Sequence, residues 1–200
     1  MIASGLYAPT LKIYETSNLG LKVERGIESE IIDFKILGDD YEKIALLEAD
    51  RSIELHAKYG RHFKTRVPTF GRAFEYIPFN GDLAIVGASN EVWRLNLDRG
   101  QFLKSFETSS EELNCIAYSK QLNLAALGGI DGITTFWSYD TKDKVVEIPN
   151  LDIAAFSNYE SFGEISSLCF SVDGLKIAIG SSKGKVRLFD IRYPLPLFEH

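Results

Sequence analysis

One short pattern recurs five times along the 200-residue chain and constrains its fold more than any other feature. Each copy holds a small apolar strand, a turn of Gly, Ser, Asn or Asp, and a second apolar strand that closes on an aromatic or polar residue; Leu175–Asp190 is the plainest example. Equivalent positions in the second strands recur at intervals of 42, 39, 42 and 52 residues, at Leu11, Ile53, Val92, Thr134 and Val186. A period of about 40 residues with several short strands per repeat predicts an all-β fold, a WD40-like β-propeller.

The repeats predict one propeller segment over residues 1–200, divided roughly into 1–28, 29–70, 71–111, 112–163 and 164–200. Each later repeat accommodates four antiparallel strands, whereas the first begins at its second strand, so about five blades are present with nineteen strands in total. Residues 150–162 form the longest irregular stretch and account for the 52-residue interval. Because WD40 arrays commonly have more blades, we expect the segment to belong to a seven-bladed propeller in a longer protein.

Composition narrows the functional classes. A formal net charge of −6 argues against one broad electrostatic surface for nucleic acid. The sequence has no apolar run near the ~18 residues of a membrane span and no signal-peptide pattern at its N-terminus, so no membrane association is expected. Cys115 and Cys169 fall on equivalent apolar strands, which predicts two buried free thiols in an intracellular protein.

No motif indicates catalysis, a cofactor or a metal. The stretch Gly128–Gly132 lacks the spacing of a phosphate-binding loop and no helix follows it, so we interpret it as a turn between strands. The three histidines have no Cys or carboxylate at metal-ligand spacing. Because catalytic groups assemble from distant positions, a hydrolytic or metal-dependent propeller enzyme stays open, and clustering of His56 with carboxylates would favour it. No small-molecule substrate is expected.

One basic segment stands out in this acidic chain: from Tyr59 to Phe74 there are four cations and no acid. Strand alternation places His62, Lys64 and Arg66 together on an exposed face of an outer strand. That face could contact an RNA backbone or an acidic partner. Alternatively, its cations could protect a sheet edge from aggregation. The candidate contact residues are Arg61, Lys64, Arg66 and Arg72.

Three longer stretches carry a more specific resemblance. They are Leu21–Tyr41 (LKVERGIESEIIDFKILGDDY), Phe63–Arg72 (FKTRVPTFGR) and Val86–Leu97 (VGASNEVWRLNL). These stretches resemble the corresponding parts of the nucleolar-protein-ten, or essential-nuclear-protein-two, family of WD40-repeat ribosome biogenesis factors. The chain departs from the general WD40 signature, since it has no Gly-His dipeptide and has Phe189-Asp190 where Trp-Asp is usual.

The resemblance implies a non-catalytic scaffold of the early small-subunit pre-ribosome, or small-subunit processome, in the nucleus and nucleolus. Its partners would be other ribosome assembly factors in a large ribonucleoprotein, and the resemblance leaves open a direct contact with pre-ribosomal or small nucleolar RNA. The alternative from the fold alone is a WD40 adaptor or substrate receptor that binds a peptide in another pathway.

Overall fold

The structure, a computed structural model, describes residues 2–4, 9–37, 43–150, 162–193 and 196–200. Their regular secondary structure consists of nineteen β-strands, the number that the repeats predict. The strands are β1 (Ile2–Ser4), β2 (Thr10–Tyr14), β3 (Leu21–Gly26), β4 (Ile31–Leu37), β5 (Lys43–Glu48), β6 (Ser52–Ala57), β7 (Gly60–Arg66), β8 (Gly71–Ile77), β9 (Asp82–Gly87), β10 (Ser89–Asn96), β11 (Gln101–Glu107), β12 (Leu113–Ser119), β13 (Leu124–Gly129), β14 (Thr134–Ser138), β15 (Lys144–Ile148), β16 (Ile165–Phe170), β17 (Lys176–Ser181), β18 (Val186–Asp190) and β19 (Pro196–Glu199). Residues 151–161 of the predicted long loop lie outside the described residues.

The strands form five antiparallel sheets, each with its strands in chain order. The first sheet has three strands, β1 to β3, and the others have four: β4 to β7, β8 to β11, β12 to β15 and β16 to β19. Every sheet falls within one predicted repeat, as expected when a short turn joins each strand to its neighbour. The prediction of an all-β chain with one sheet in each repeat is thereby confirmed, while the assignment of residues 1–200 to a single domain stays a prediction.

A β-bulge or equivalent irregularity occurs in the pairing of every outer strand. The register shifts between β2 and β3, β6 and β7, β10 and β11, β14 and β15, and β18 and β19. An extra residue on one strand bends it and increases the local twist. The outer strand of each sheet therefore does not present a long, flat row of regularly spaced backbone groups.

The described chain divides into two compact units, Met1–Gly71 and Arg72–His200. In the first unit, apolar side chains of the first two sheets pack together, with Leu11 and Ile13 from β2 against Ile44 and Leu46 from β5. All four are at least nine-tenths buried. This packing accounts for the period-two placement of apolar residues on β2, whereas β5 is apolar and buried on both faces.

The second unit contains two apolar clusters between successive sheets. One joins the third and fourth sheets and includes Phe106 and Trp137, whose ring centroids are 5.4 Å apart. The other joins the fourth and fifth sheets around Phe136 and Phe189. Gly128 lets these two sheets approach closely, because a Cβ atom there would lie 2.5 Å from the Ile165 side chain and 2.7 Å from the Cys115 sulfur.

Two sequence predictions in the second unit have different outcomes. Gly128 and Gly129 end β13, and Gly132 lies in the following turn at φ 76°, so the interpretation of this stretch as a turn is confirmed. The prediction of two buried thiols is correct for Cys115 and wrong for Cys169, which is exposed. Cys169 pairs with Ala178, one residue out of phase with Leu168 and Phe170, which contact the cluster between the fourth and fifth sheets. Its side chain therefore points to the opposite face of the sheet.

Candidate functional site

The four predicted contact residues lie on two strands in different units. Arg61, Lys64 and Arg66 are on β7 in the first unit, and Arg72 is on β8 in the second. The pairing of β7 with β6 shifts at this point, since Arg61 is opposite His56 and Phe63 is opposite Leu55. The resulting bulge breaks the simple alternation expected from the sequence and brings Arg61 to the same side as Lys64.

Lys64 is surrounded by carboxylates. Its Nζ donates to Glu48 Oε2 at 3.1 Å and to Glu28 Oε2 at 3.2 Å. It also lies 3.3 Å from Glu54 Oε1 and 3.4 Å from Asp50 Oδ2. Only 23% of the Lys64 side chain is exposed, so the expectation of a solvent-exposed ammonium is wrong.

Arg61 completes this group. Its Nη1 donates to Glu54 Oε1 at 2.9 Å and to Glu28 Oε1 at 3.1 Å. Two cations therefore share four acids, and we call this set the Lys64 network: Glu28, Glu48, Asp50, Glu54, Arg61 and Lys64. Glu48 and Glu54 are buried at its base, whereas Glu28 and Asp50 keep 66% and 45% of their side chains exposed.

Burial and hydrogen bonding shift the pKa values of the two buried acids of the network in opposite directions. Burial opposes ionisation of Glu54, but hydrogen bonds from His56, Arg61 and Lys64 outweigh it and lower the pKa of that carboxyl. For Glu48, burial dominates and the charges of Glu54 and Asp50 add to it, so the pKa of Glu48 is raised despite the hydrogen bond from Lys64. Glu48 Oε1 has no hydrogen-bond partner.

His56 adjoins the network in a defined tautomer. Its Nε2 lies 2.8 Å from Glu54 Oε2, which can only accept, and its Nδ1 lies 3.3 Å from Nη1 of Arg25, which can only donate. The imidazole is therefore neutral with its proton on Nε2. Burial, together with the charges of Arg25 and Arg61, lowers the pKa of His56 although Glu54 opposes this shift.

Asp50 is held by an unusual turn between β5 and β6. Arg51 adopts φ 71°, at the turn position where the fourth and fifth sheets have Gly132 and Gly184, both at φ 76°. A non-glycine residue in this region costs about 1–2 kcal/mol. The Arg51 guanidinium offsets the strain by donating from Nη2 to the carbonyls of Val67 and Pro68, at 3.2 and 2.8 Å.

Arg66 and Arg72 differ from the cations of the network. Arg66 is exposed, and its side chain makes no hydrogen bond or ion pair within the described residues. Arg72 donates to Glu112 Oε2 at 2.5 Å and to Asn114 Oδ1 at 2.9 Å, with 38% of its side chain exposed. Three of the four candidates are therefore already paired with carboxylates of this chain, and Arg66 has the most accessible charge.

Local charge in the sequence indicates only the basic half of the network, because its acids lie outside the basic segment. Glu48 ends the apolar strand β5, and Glu54 interrupts the apolar face of β6. A carboxylate within a buried strand requires a partner, and this signal was available in the sequence. The sequence pattern could not identify the partner, since Lys64 contacts Glu54 across a strand pairing and contacts Glu28 in the loop between β3 and β4.

A search of the described residues for metal sites found no group of three or more His, Cys, Asp or Glu side chains arranged to hold an ion. The same residues contain no helix of the length and hydropathy required to cross a membrane.

Comparison with known proteins places these features in a family. The antiparallel sheets, one in each repeat, are those of an all-β protein, and all 200 residues match the β-propeller family described as nucleolar protein 10-like, N-terminal domain. The chain belongs to this β-propeller family, so the resemblance of the three sequence stretches is confirmed.

Curated relatives align along almost the whole chain. Human nucleolar protein 10 is 40% identical over 199 residues, and its zebrafish counterpart is 38% identical over the same length. The Saccharomyces cerevisiae ribosome biogenesis protein ENP2 is 34% identical over 198 residues. Each alignment covers 98% of this chain but only 27–29% of the relative, so the chain spans less than a third of the length of these proteins.

Proposed function

We propose that this chain is the propeller segment of a ribosome biogenesis factor that acts as a non-catalytic scaffold of the small-subunit processome. The observation that carries the proposal is the family match over residues 1–200, combined with the similarity to a yeast relative named as a ribosome biogenesis protein, ENP2. On this proposal the protein resides in the nucleolus and joins other assembly factors in a large ribonucleoprotein. Processing of pre-ribosomal RNA and assembly of the small subunit would depend on that docking.

The geometry around His56 supports a non-catalytic role. His56 does cluster with a carboxylate, the arrangement that would favour an enzyme, but the side chains of His56 and Glu54 are only 4% and 2% exposed. A general base must come within hydrogen-bond distance of a substrate proton. Here both ring nitrogens are occupied by protein groups, so His56 has a structural role.

Within this proposal, Arg61, Lys64, Arg66 and Arg72 stay candidate contacts to RNA or to an acidic partner. Arg66 is the strongest of these candidates. A guanidinium without a carboxylate partner can bind phosphate without first breaking an ion pair, whereas Arg61, Lys64 and Arg72 would each have to break one. Reversal of Arg66 to Glu should weaken incorporation into the large particle without unfolding the protein. Lys22→Glu is the matched control, since Lys22 is also an exposed cation on an outer strand.

The direct test is sedimentation of the tagged full-length protein from cell lysate, with each gradient fraction probed for pre-ribosomal RNA. We expect comigration with very large particles that collapse after nuclease treatment. A small species insensitive to nuclease, copurifying with one protein and no RNA, would overturn the proposal and favour the peptide adaptor instead. If Arg66→Glu and Lys22→Glu comigrate as fully as the wild type, Arg66 is not a contact.

A further inference from the structure

The Lys64 network holds more negative charge than its own cations balance. Four carboxylates contact two cations, Lys64 and Arg61. Among the described residues, no other nearby arginine forms an ion pair with these acids, and this includes Arg66, which lies opposite Ser52 on the same face of β7 as Lys64. The Arg25 guanidinium is taken by His56 and by the carbonyls of Ala57 and Lys58, and Arg51 donates to carbonyls. With Glu28, Asp50 and Glu54 ionised, the network carries an excess of one negative charge, and ionisation of Glu48, whose pKa is raised by burial, increases that excess to two.

This excess reaches solvent on one side only. Glu48 and Glu54 are almost fully buried, and the exposed carboxylates are those of Glu28 and Asp50. Hydrogen bonds from Arg61 and Lys64 lower the pKa of Glu28, so it is ionised at neutral pH. For Asp50, hydrogen bonds from Ser52 outweigh the effect of burial and also lower the pKa. Both surface acids therefore present full charges.

A second observation shows that the network lacks a donor. Glu48 is fully buried, its Oε2 binds Lys64, and its Oε1 has no hydrogen-bond partner. An ammonium has three N–H groups, whereas four carboxylates lie within 3.4 Å of Lys64 Nζ. Native proteins rarely leave a buried oxygen of this kind unsatisfied.

We propose that the acidic surface of Glu28 and Asp50 binds lysine or arginine side chains of a basic, extended segment of a protein partner. A cation from the partner would take over Glu28 and Asp50. The Lys64 ammonium would then be free to donate all its N–H groups to Glu48 and Glu54, including the orphaned Oε1. The partner therefore provides Glu48 Oε1 with a hydrogen-bond donor indirectly, because it releases an N–H group of Lys64.

Charge complementarity determines the class of partner. The carboxylates of Glu28 and Asp50 repel the phosphate groups of a nucleic acid, so a phosphate contact of the exposed Arg66 would lie outside this pair of acids. Since a single exposed ion pair contributes little, the partner must offer several cations in a row, as a lysine- and arginine-rich segment does. The basic segment of the sequence therefore contributes to an acidic surface, because Arg61 and Lys64 form ion pairs with the exposed acids.

The test measures binding of a fluorescently labelled arginine–serine repeat peptide to the full chain by anisotropy at low ionic strength. We expect binding that weakens about fivefold in the double variant Glu28→Gln/Asp50→Asn, from the loss of two exposed ion pairs. The control Glu30→Gln/Glu111→Gln removes the same net charge from exposed acids outside the network, and it should bind like the wild type. Glu28→Gln alone, which leaves the turn at Asp50 intact, should show a smaller loss of the same sign.

Three results would overturn the inference: no binding by the wild type, equal losses in the two double variants, or tighter binding of a single-stranded RNA oligonucleotide that Glu28→Gln abolishes. Circular dichroism of each variant establishes that it is folded before binding is compared. The inference does not depend on the proposed function. Failure of peptide binding leaves the sedimentation result unchanged, and a small sedimenting species leaves the peptide result unchanged.

Discussion

Replacement of Lys64 by methionine tests whether the Lys64 network stabilises the first unit. Methionine retains most of the side-chain volume but leaves four carboxylates with Arg61 alone. Removal of one partner from a buried ion pair costs about 3–5 kcal/mol. Since 23% of Lys64 is exposed and Glu48 can take up a proton, we expect a loss of about 2–3 kcal/mol in the free energy of unfolding at neutral pH.

The assay must report on the correct unit. Trp93 and Trp137 both lie in the second unit, so tryptophan fluorescence follows that unit. Urea unfolding should instead be monitored by far-UV circular dichroism, with hydrogen exchange of peptides from β5 to β7. A loss of this size corresponds to a decrease in Tm of about 4–12 °C for a chain of this length.

The control and the pH dependence decide between charge and packing. Arg66→Met should cost less than about 0.5 kcal/mol, as is usual for an exposed position without ion pairs. The cost of Lys64→Met should shrink as the pH falls toward 4, because protonated carboxyls no longer require the ammonium. A cost equal to that of Arg66→Met, or one that is the same at pH 7 and pH 4, would refute the reasoning.

Three further outcomes are expected. Phe189→Ala should lower the free energy of unfolding, measured in urea, by about 3 kcal/mol. This is the low end for a buried phenylalanine, because the ring borders an open cleft of about 370 Å³. A loss below about 1 kcal/mol would contradict its core position. In the 200-residue chain, maleimide should label Cys169 and spare Cys115, since burial raises the pKa of Cys115 to about 12; equal labelling in the native state would contradict this assignment. Because the pKa of His56 is lowered in the folded state, the imidazole of the unfolded state is protonated first, and the free energy of unfolding should fall as the pH drops below about 6.5. His56→Gln should remove this part of the decline. An unchanged pH profile would exclude His56 as its source.

Local sequence pattern was sufficient to predict the sheets. The 40-residue period and the turn residues fixed the number and order of the strands, because each strand pairs with its neighbour in the chain. The outer strands were also located closely, with 101–107 predicted and Gln101–Glu107 found. These predictions were correct because paired strands are neighbours in the sequence.

The electrostatics of the candidate site could not be predicted in the same way. Alternation predicted an exposed Lys64, but Glu48 and Glu54 on β5 and β6 and Glu28 in the loop before β4 surround its ammonium, so that only 23% of the side chain is exposed. Glu28 is 36 residues from Lys64 in sequence, so no local pattern could reveal their contact. Cys169 was misplaced for a related reason, since period-two alternation gives the two faces of a strand but not which face a neighbouring sheet covers.

The consecutive order of strands within every sheet has a consequence for synthesis. A ribosome adds about 5–20 residues per second, so one sheet of about 40 residues takes seconds to emerge. A β-hairpin forms in about 1–10 microseconds, which is shorter by some five orders of magnitude. Because the described strands pair only within their own repeats, each four-stranded sheet can complete its hydrogen bonding before the next has left the exit tunnel. The nascent chain can therefore form these sheets one at a time, whereas their apolar faces are covered only when neighbouring sheets pack together.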